Sequence, residues 1–295
     1  MKKRLRCEKL RMSNRQKGIL HITFAAFCFA LMSFFVKQSG SIPTFEKSFF
    51  RNAIAAIVAV ITLVRSGGDF RCKKGNFFPL MIRALAGSFG ILANFYALDY
   101  LSISDANMLQ KLSPFFTILF SALILKEKTT KKDWAVLAVA FFGALLVMKP
   151  SFSATAYPSL IAAAGGMSAG LAYTFVRCLN LRGERGYIIV LYFSVVSCAI
   201  CVPFMVKDFV VPTPAQLACL LGAGIAGMGG QLNMTVAYKY APAKELSVYD
   251  YAQVLFAAIL GFVFLHELAD PLSLLGYAII IGCGVYRWQG QRRMA

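Results

Sequence analysis

Four ionisable side chains stand inside long apolar runs of this 295-residue chain: Arg51, Arg83, Lys111 and Asp250. A charge held in hydrocarbon is unfavourable unless it meets a partner or a water-filled cavity, so each marks a place where chemistry can occur. Arg83 stands about six residues into the run 77–98 and Asp250 about five into the run 245–265, both from ends flanked by basic loops. At about 1.5 Å per helical residue these depths agree within a turn. They predict an Arg83–Asp250 pair, used either as a structural tie or as a gating or coupling element. Lys111 stands about six residues in from the opposite end of its run, with no acid at matching depth. Its ammonium is expected to meet a substrate carboxylate or phosphate in a cavity, or to snorkel past Ser104 to the surface. Arg51, about four residues inside its run, reads as a topological anchor that reaches water.

Neutral polar groups recur at helical spacing around these charges: Asn94, Asn107, Gln110, Gln231, Asn233, Tyr249 and Gln253. Amides and tyrosine hydroxyls suit a hydrated cavity that recognises a small polar metabolite. Hydrogen bonding between helices is the alternative use for each. Two stripes of small residues, Ala162-Gly166-Gly170 and Gly222-Ala226-Gly230, let helix backbones approach closely. Gly222-x-Gly224-x-x-Gly227 matches a dinucleotide fingerprint in letters only, because it lies within an apolar run and closes no βαβ unit. His266-Glu267 lacks the second histidine of a zincin helix, and the eight cysteines form no ligand cluster. No cofactor is expected.

The elements that must carry these side chains are membrane spans. With 58% hydrophobic residues and a mean hydropathy of +0.65, the composition excludes an ordinary soluble enzyme and a disordered chain. Ten apolar runs are long enough to cross a bilayer: about 18–37, 47–65, 77–98, 105–125, 133–148, 157–176, 187–206, 214–237, 245–265 and 271–287. The net charge of +18 is divided unevenly between the connections. Of the 31 Lys and Arg, 24 fall on one side of the alternation and four on the other (Lys37, Lys47, Lys149 and Lys207). Since basic residues collect on the cytoplasmic side, both termini are predicted inside. The same division removes the contiguous positive face that nucleic acid needs, so no nucleic-acid partner is expected. The first run exceeds a signal h-region in length and is read as a retained span.

Shifting the chain by 140 residues aligns it with itself without gaps. Gly87 falls on Gly227, Gly90 on Gly230, Tyr100 on Tyr240, Phe116 on Phe256 and Glu127 on Glu267. Each unit holds five spans, an odd number, so the second copy enters the bilayer from the opposite face. Inverted repeats of this kind build many secondary transporters. The stretch Tyr96-Ala97-Leu98-Asp99-Tyr100, with Leu112-Ser113-Pro114-Phe115-Phe116 and Leu125-Lys126-Glu127, resembles the signature of EamA-type carriers in the drug/metabolite transporter superfamily. Phe50-Arg51-Asn52 and the second copy, Ala237-Tyr238-Lys239-Tyr240 to Leu265-His266-Glu267, are similar to the same pattern. Val254 stands where the second-half proline of that pattern would be, and His266 where glycine is usual.

The expected fold is therefore an all-α membrane protein of ten transmembrane helices in two inverted five-helix repeats, N-in and C-in. Residues 1–17 form a basic cytoplasmic segment, 18–149 and 156–287 the two repeats, and 288–295 a cytoplasmic tail. The resemblance implies alternating access around a cavity from the first, third, fourth, sixth, eighth and ninth spans. The expected function is export or exchange of a small metabolite, such as an amino acid or related amphipathic or zwitterionic compound, across a bacterial plasma (inner) membrane. Lys111, Asn94, Asn107, Gln110, Gln231, Asn233, Tyr249 and Gln253 are the expected substrate contacts, and Arg83 and Asp250 the gating or coupling pair. Membrane lipid, a coupling ion such as H+, and a monomer or homodimer complete the expectation. A passive facilitator or channel and a non-transporting scaffold subunit are the alternatives.

Overall fold

The computed structural model describes residues 13–100, 109–148, 156–265 and 271–292. Among these the chain is helical, with no strand: α1 Asn14–Gln38, α2 Thr44–Arg65, α3 Phe77–Tyr100, α4 Ser113–Ile124, α5 Lys131–Met148, α6 Ala156–Leu181, α7 Gly186–Lys207, α8 Pro214–Tyr240, α9 Ala243–Asp250, α10 Ala252–Leu265 and α11 Pro271–Arg292. Seven helical runs, counting Ala243–Phe264 as one, are long and apolar enough to cross a membrane. The chain is an integral, multi-pass membrane protein.

Local chemistry sets the helix ends. Ser13 Oγ accepts from the Gln16 backbone N–H while Gln16 Oε1 accepts from the Ser13 backbone N–H, a capping box that starts α1. Thr213 and Gln216 repeat it at α8, followed by Pro214 at the first helical turn. Large side chains such as Phe24, Leu85, Phe89, Phe142, Leu160, Ile225 and Phe262 stay exposed around the bundle, as a hydrocarbon-facing belt requires. Ile22, Leu80, Ile118, Leu137, Val176, Leu179, Ile188 and Tyr251 fill the interior.

Helix α1 packs along α8 and α3 along α6, while α2 meets α7 and α5 meets α11. Helix α4 leans on α6 as α9 and α10 lean on α1, and α8 touches α2 as α7 touches α3. Exchanging the two halves leaves this list of partners unchanged. The small-residue stripes serve these crossings: Gly230 lies against Phe29 of α1, and Gly170 against Ser113 and Phe116.

Two spans are broken. The ninth run, expected to be continuous, divides at Tyr251 into α9 and α10. In the fourth, Leu109 and Gln110 are helical, residues 111 and 112 turn, and α4 starts with Pro114 in its first turn. Lys111 and Tyr251 are the positions that the 140-residue shift superposes. A proline accounts for only one break, so another cause must hold the second. Each break exposes backbone carbonyls, and each is served by the other span: Tyr251 Oη donates to Lys111 O at 3.1 Å, and Lys111 Nζ donates to Asp250 O at 3.2 Å.

Candidate functional site

The broken spans meet over a cavity of about 80 Å³ in the middle of the bundle. Its polar wall is formed by Arg51, Arg83, Asn94, Gln110, Lys111, Tyr173, Gln231, Asp250 and Gln253, and its apolar wall by Phe29, Met32, Phe95 and Phe193 among others. Helices α2 and α7 thus join the spans expected around the cavity, through Arg51 and Phe193.

The charges are arranged differently from the sequence-based expectation. Asp250 does not pair with Arg83. Its Oδ2 lies 3.1 Å from Lys111 Nζ, which also donates to Gln253 Oε1 at 2.7 Å. Both side chains are buried, so this is an ion pair inside the bundle, joining the first half of the chain to the second. Depth along the helix axis favoured Arg83. The breaks decided otherwise, because they deliver Lys111 and Asp250 to one level, with Lys111 pointed at the end of α9. Lys111 therefore has a mate and does not snorkel outward.

Arg51 does not snorkel either. It is 2% exposed, and Arg83 is 1% exposed. Both guanidinium groups lie against one ring: the Phe193 centroid is 4.2 Å from Arg83 Cζ and 5.5 Å from Arg51 Cζ. Arg51 Nη1 donates to Asn52 Oδ1 at 2.7 Å, and Asn52 Nδ2 is held by Ser48 O and Ser197 Oγ. Arg83 folds back over Gly87, where a Cβ would stand 2.0 Å from its Nη1. Gly227, the counterpart of Gly87, leaves room for Arg51, whose Cγ and Nε a Cβ would approach to 3.1 Å. Among the described residues no carboxylate is within ion-pair range of either arginine, and the Nε of each has no hydrogen-bond partner.

Asn94, Gln110, Gln231 and Gln253 line the cavity as expected of substrate contacts. Asn94 Oδ1, Gln110 Oε1 and Gln231 Nε2 are buried without a partner. Two expected contacts lie elsewhere. Asn233 Oδ1 bonds His21 Nδ1 at 2.7 Å, and Tyr249 Oη donates to Gly284 O at 3.2 Å, so both tie helices together. Asn107 lies outside the described residues, as do His266 and Glu267. Sequence reasoning missed Arg51, Tyr173 and Phe193 as cavity residues. Arg51 carried a signal, since it is one of three Lys or Arg residues set back from the ends of the apolar runs, whereas an aromatic in such a run carries none.

At the end of the bundle that bears the basic loops, polar contacts tie the halves together. Arg177 Nε pairs with Glu127 Oε1 at 3.1 Å, Arg15 Nε with Glu245 Oε2 at 2.8 Å, and Lys244 Nζ donates to Lys128 O at 2.7 Å. Arg177 Nη1 also donates to Tyr238 O at 2.9 Å, and the rings of Tyr173 and Tyr238 stack just inside.

The family model described as "EamA-like transporter family" matches twice, over residues 16–149 and 156–286. The chain is 34% identical over 272 residues to the pseudopaline exporter CntI of Pseudomonas aeruginosa, covering 90% of this chain and 94% of that protein. It is 23% identical over 244 residues to an S-adenosylmethionine uptake transporter of Rickettsia prowazekii, covering 81% and 80%. A protein of known crystal structure, 17% identical, shares the fold with a TM-score of 0.79 over 90% of this chain and 96% of that one.

Proposed function

The chain belongs to the EamA-like transporter family, and we propose that it is a secondary carrier. It exports a small, charged or zwitterionic metabolite across a bacterial plasma membrane by alternating access, and no catalytic chemistry is assigned to it. The observation that carries this reading is the meeting of two broken spans at a buried Lys111–Asp250 pair above a polar cavity. Carriers built from repeats place their sites at such discontinuities, near the bilayer midplane and between the halves. The exchange symmetry of the helix contacts supports an inverted ten-span arrangement of two five-span units. The uneven distribution of Lys and Arg supports N-in and C-in. Export is favoured because the relative from Pseudomonas aeruginosa, similar along nearly its whole length, is named an exporter.

In this orientation the contacts around Arg177 and Glu127 form a closed inner gate, which must open and reclose in every cycle. Arg177→Gln removes both the ion pair and the bond to Tyr238 O, and should expose the cavity from the cytoplasmic side. With Gln231→Cys as a reporter in a background free of native cysteines, thiol labelling from that side should rise several-fold. An unchanged labelling rate would remove the gate from the reading. Orientation is checked separately: Lys74→Cys and Lys207→Cys should be labelled from opposite faces of the membrane.

The decisive test is purified protein in liposomes, screened with a labelled metabolite panel under imposed pH and sodium gradients. Saturable flux with counterflow is expected. Non-saturable flux would point to a facilitator, and binding without flux to a scaffold subunit.

A further inference from the structure

The cavity holds three cationic side chains against one carboxylate. Asp250 is committed to Lys111 at 3.1 Å, so Arg51 and Arg83 are left as two positive charges without a counter-ion among the described residues. Stacking on Phe193 offsets part of the lost hydration, but a neutral ring and one amide do not neutralise two guanidinium groups. The glycines make room for both groups, Gly87 for Arg83 and Gly227 for Arg51, and Asn52 Oδ1 accepts from Arg51 Nη1. Guanidinium forks match carboxylate oxygens in pairs, and here two such forks lie beside one ring in the wall of one cavity. In the wall of the same cavity, the amide oxygens of Asn94 and Gln110 are buried acceptors without a donor.

We propose that Arg51 and Arg83 form an anion subsite for a substrate bearing two carboxylates, whose amino or hydroxyl groups are taken by Asn94 and Gln110. This rests on the carrier reading and narrows its substrate to small amino- or hydroxy-acids that carry at least two carboxylates. The Lys111–Asp250 pair, by contrast, is internally neutral and holds the broken spans together.

The test is thermal unfolding of the purified full-length protein in nanodiscs, titrated with glutarate, citrate and L-glutamate. Glutaramide serves as the neutral isostere and inorganic phosphate as the other dianion. The carboxylates should raise the midpoint and glutaramide should not. Arg51→Gln and Arg83→Gln should each weaken carboxylate binding at least tenfold. Gly87→Ala retains the charge but displaces the Arg83 guanidinium, so it should weaken binding too and serves if the arginine variants fail to fold. Equal stabilisation by glutaramide, no stabilisation by any carboxylate, unchanged affinity in the variants, or a response to phosphate alone would each overturn the subsite. The two readings fail separately. A wild-type protein that moves a neutral or cationic substrate in liposomes is a carrier without this subsite. One that binds dicarboxylates but moves none keeps the subsite and loses the carrier reading.

Discussion

Lys111→Met should destabilise the protein by about 3–5 kcal/mol, because it strands the Asp250 carboxylate in the bundle interior. Asp250→Leu should cost a similar amount, leaving an ammonium with only Gln253 and a carbonyl to meet it. The double variant Lys111→Met/Asp250→Leu should be far less destabilised than the two single effects added together, since a buried ion pair replaced by apolar groups of similar volume is often close to neutral. Unfolding midpoints of the three purified variants in detergent measure this coupling. Additive losses would show that the pair has no energetic meaning. Transport should be lost in all three, because the double variant restores packing but not the bond from Lys111 to the end of α9. Charge reversal of Arg83 together with Asp250 should rescue nothing.

The second large effect is expected at Gly166. A Cβ there would lie 2.5 Å from the carbonyl oxygen of Leu109, and that backbone cannot swing aside as a side chain would. Gly166→Val must push α6 away from the segment that presents Gln110 and Lys111. Overpacking of this kind costs about 1–3 kcal/mol in a well-packed interior. The displacement falls on the broken span itself, so the larger consequence is the loss of the Lys111 geometry. The variant should insert into the membrane at reduced yield and show no flux. Wild-type flux in Gly166→Val would mean that this crossing does not set the Lys111 geometry.

Depth and direction separate what was legible in the cavity from what was not. Asn94, Gln110, Gln231 and Gln253 were expected substrate contacts and line the cavity, because a polar side chain in an apolar run has few other places to go. Asn233 and Tyr249 obey the same rule but satisfy it against His21 and Gly284, and only the azimuth of each residue on its helix separates the two outcomes. Arg51 departs from its expected outward course for a related reason. Its distance from the span end is short enough for snorkelling, yet the side chain turns inward, where Phe193 and the open space at Gly227 receive it. The break at Tyr251 left no mark in the sequence, since Val254 stands where a proline would have announced it.

From the order of residues alone follow the membrane setting, the long apolar runs, the self-similarity at a shift of 140 residues and the family resemblance. Each is a property of a local window or of the chain compared with itself, and hydrophobic length does not depend on what a helix touches. The tertiary structure decided which charge meets which. That choice depends on the break in each of two spans, on the rotation of α2 and α3 about their axes, and on a ring from α7 that two arginines share. Such facts arise only when the halves are folded against each other, because packing sets which groups come within about 3 Å of a buried charge.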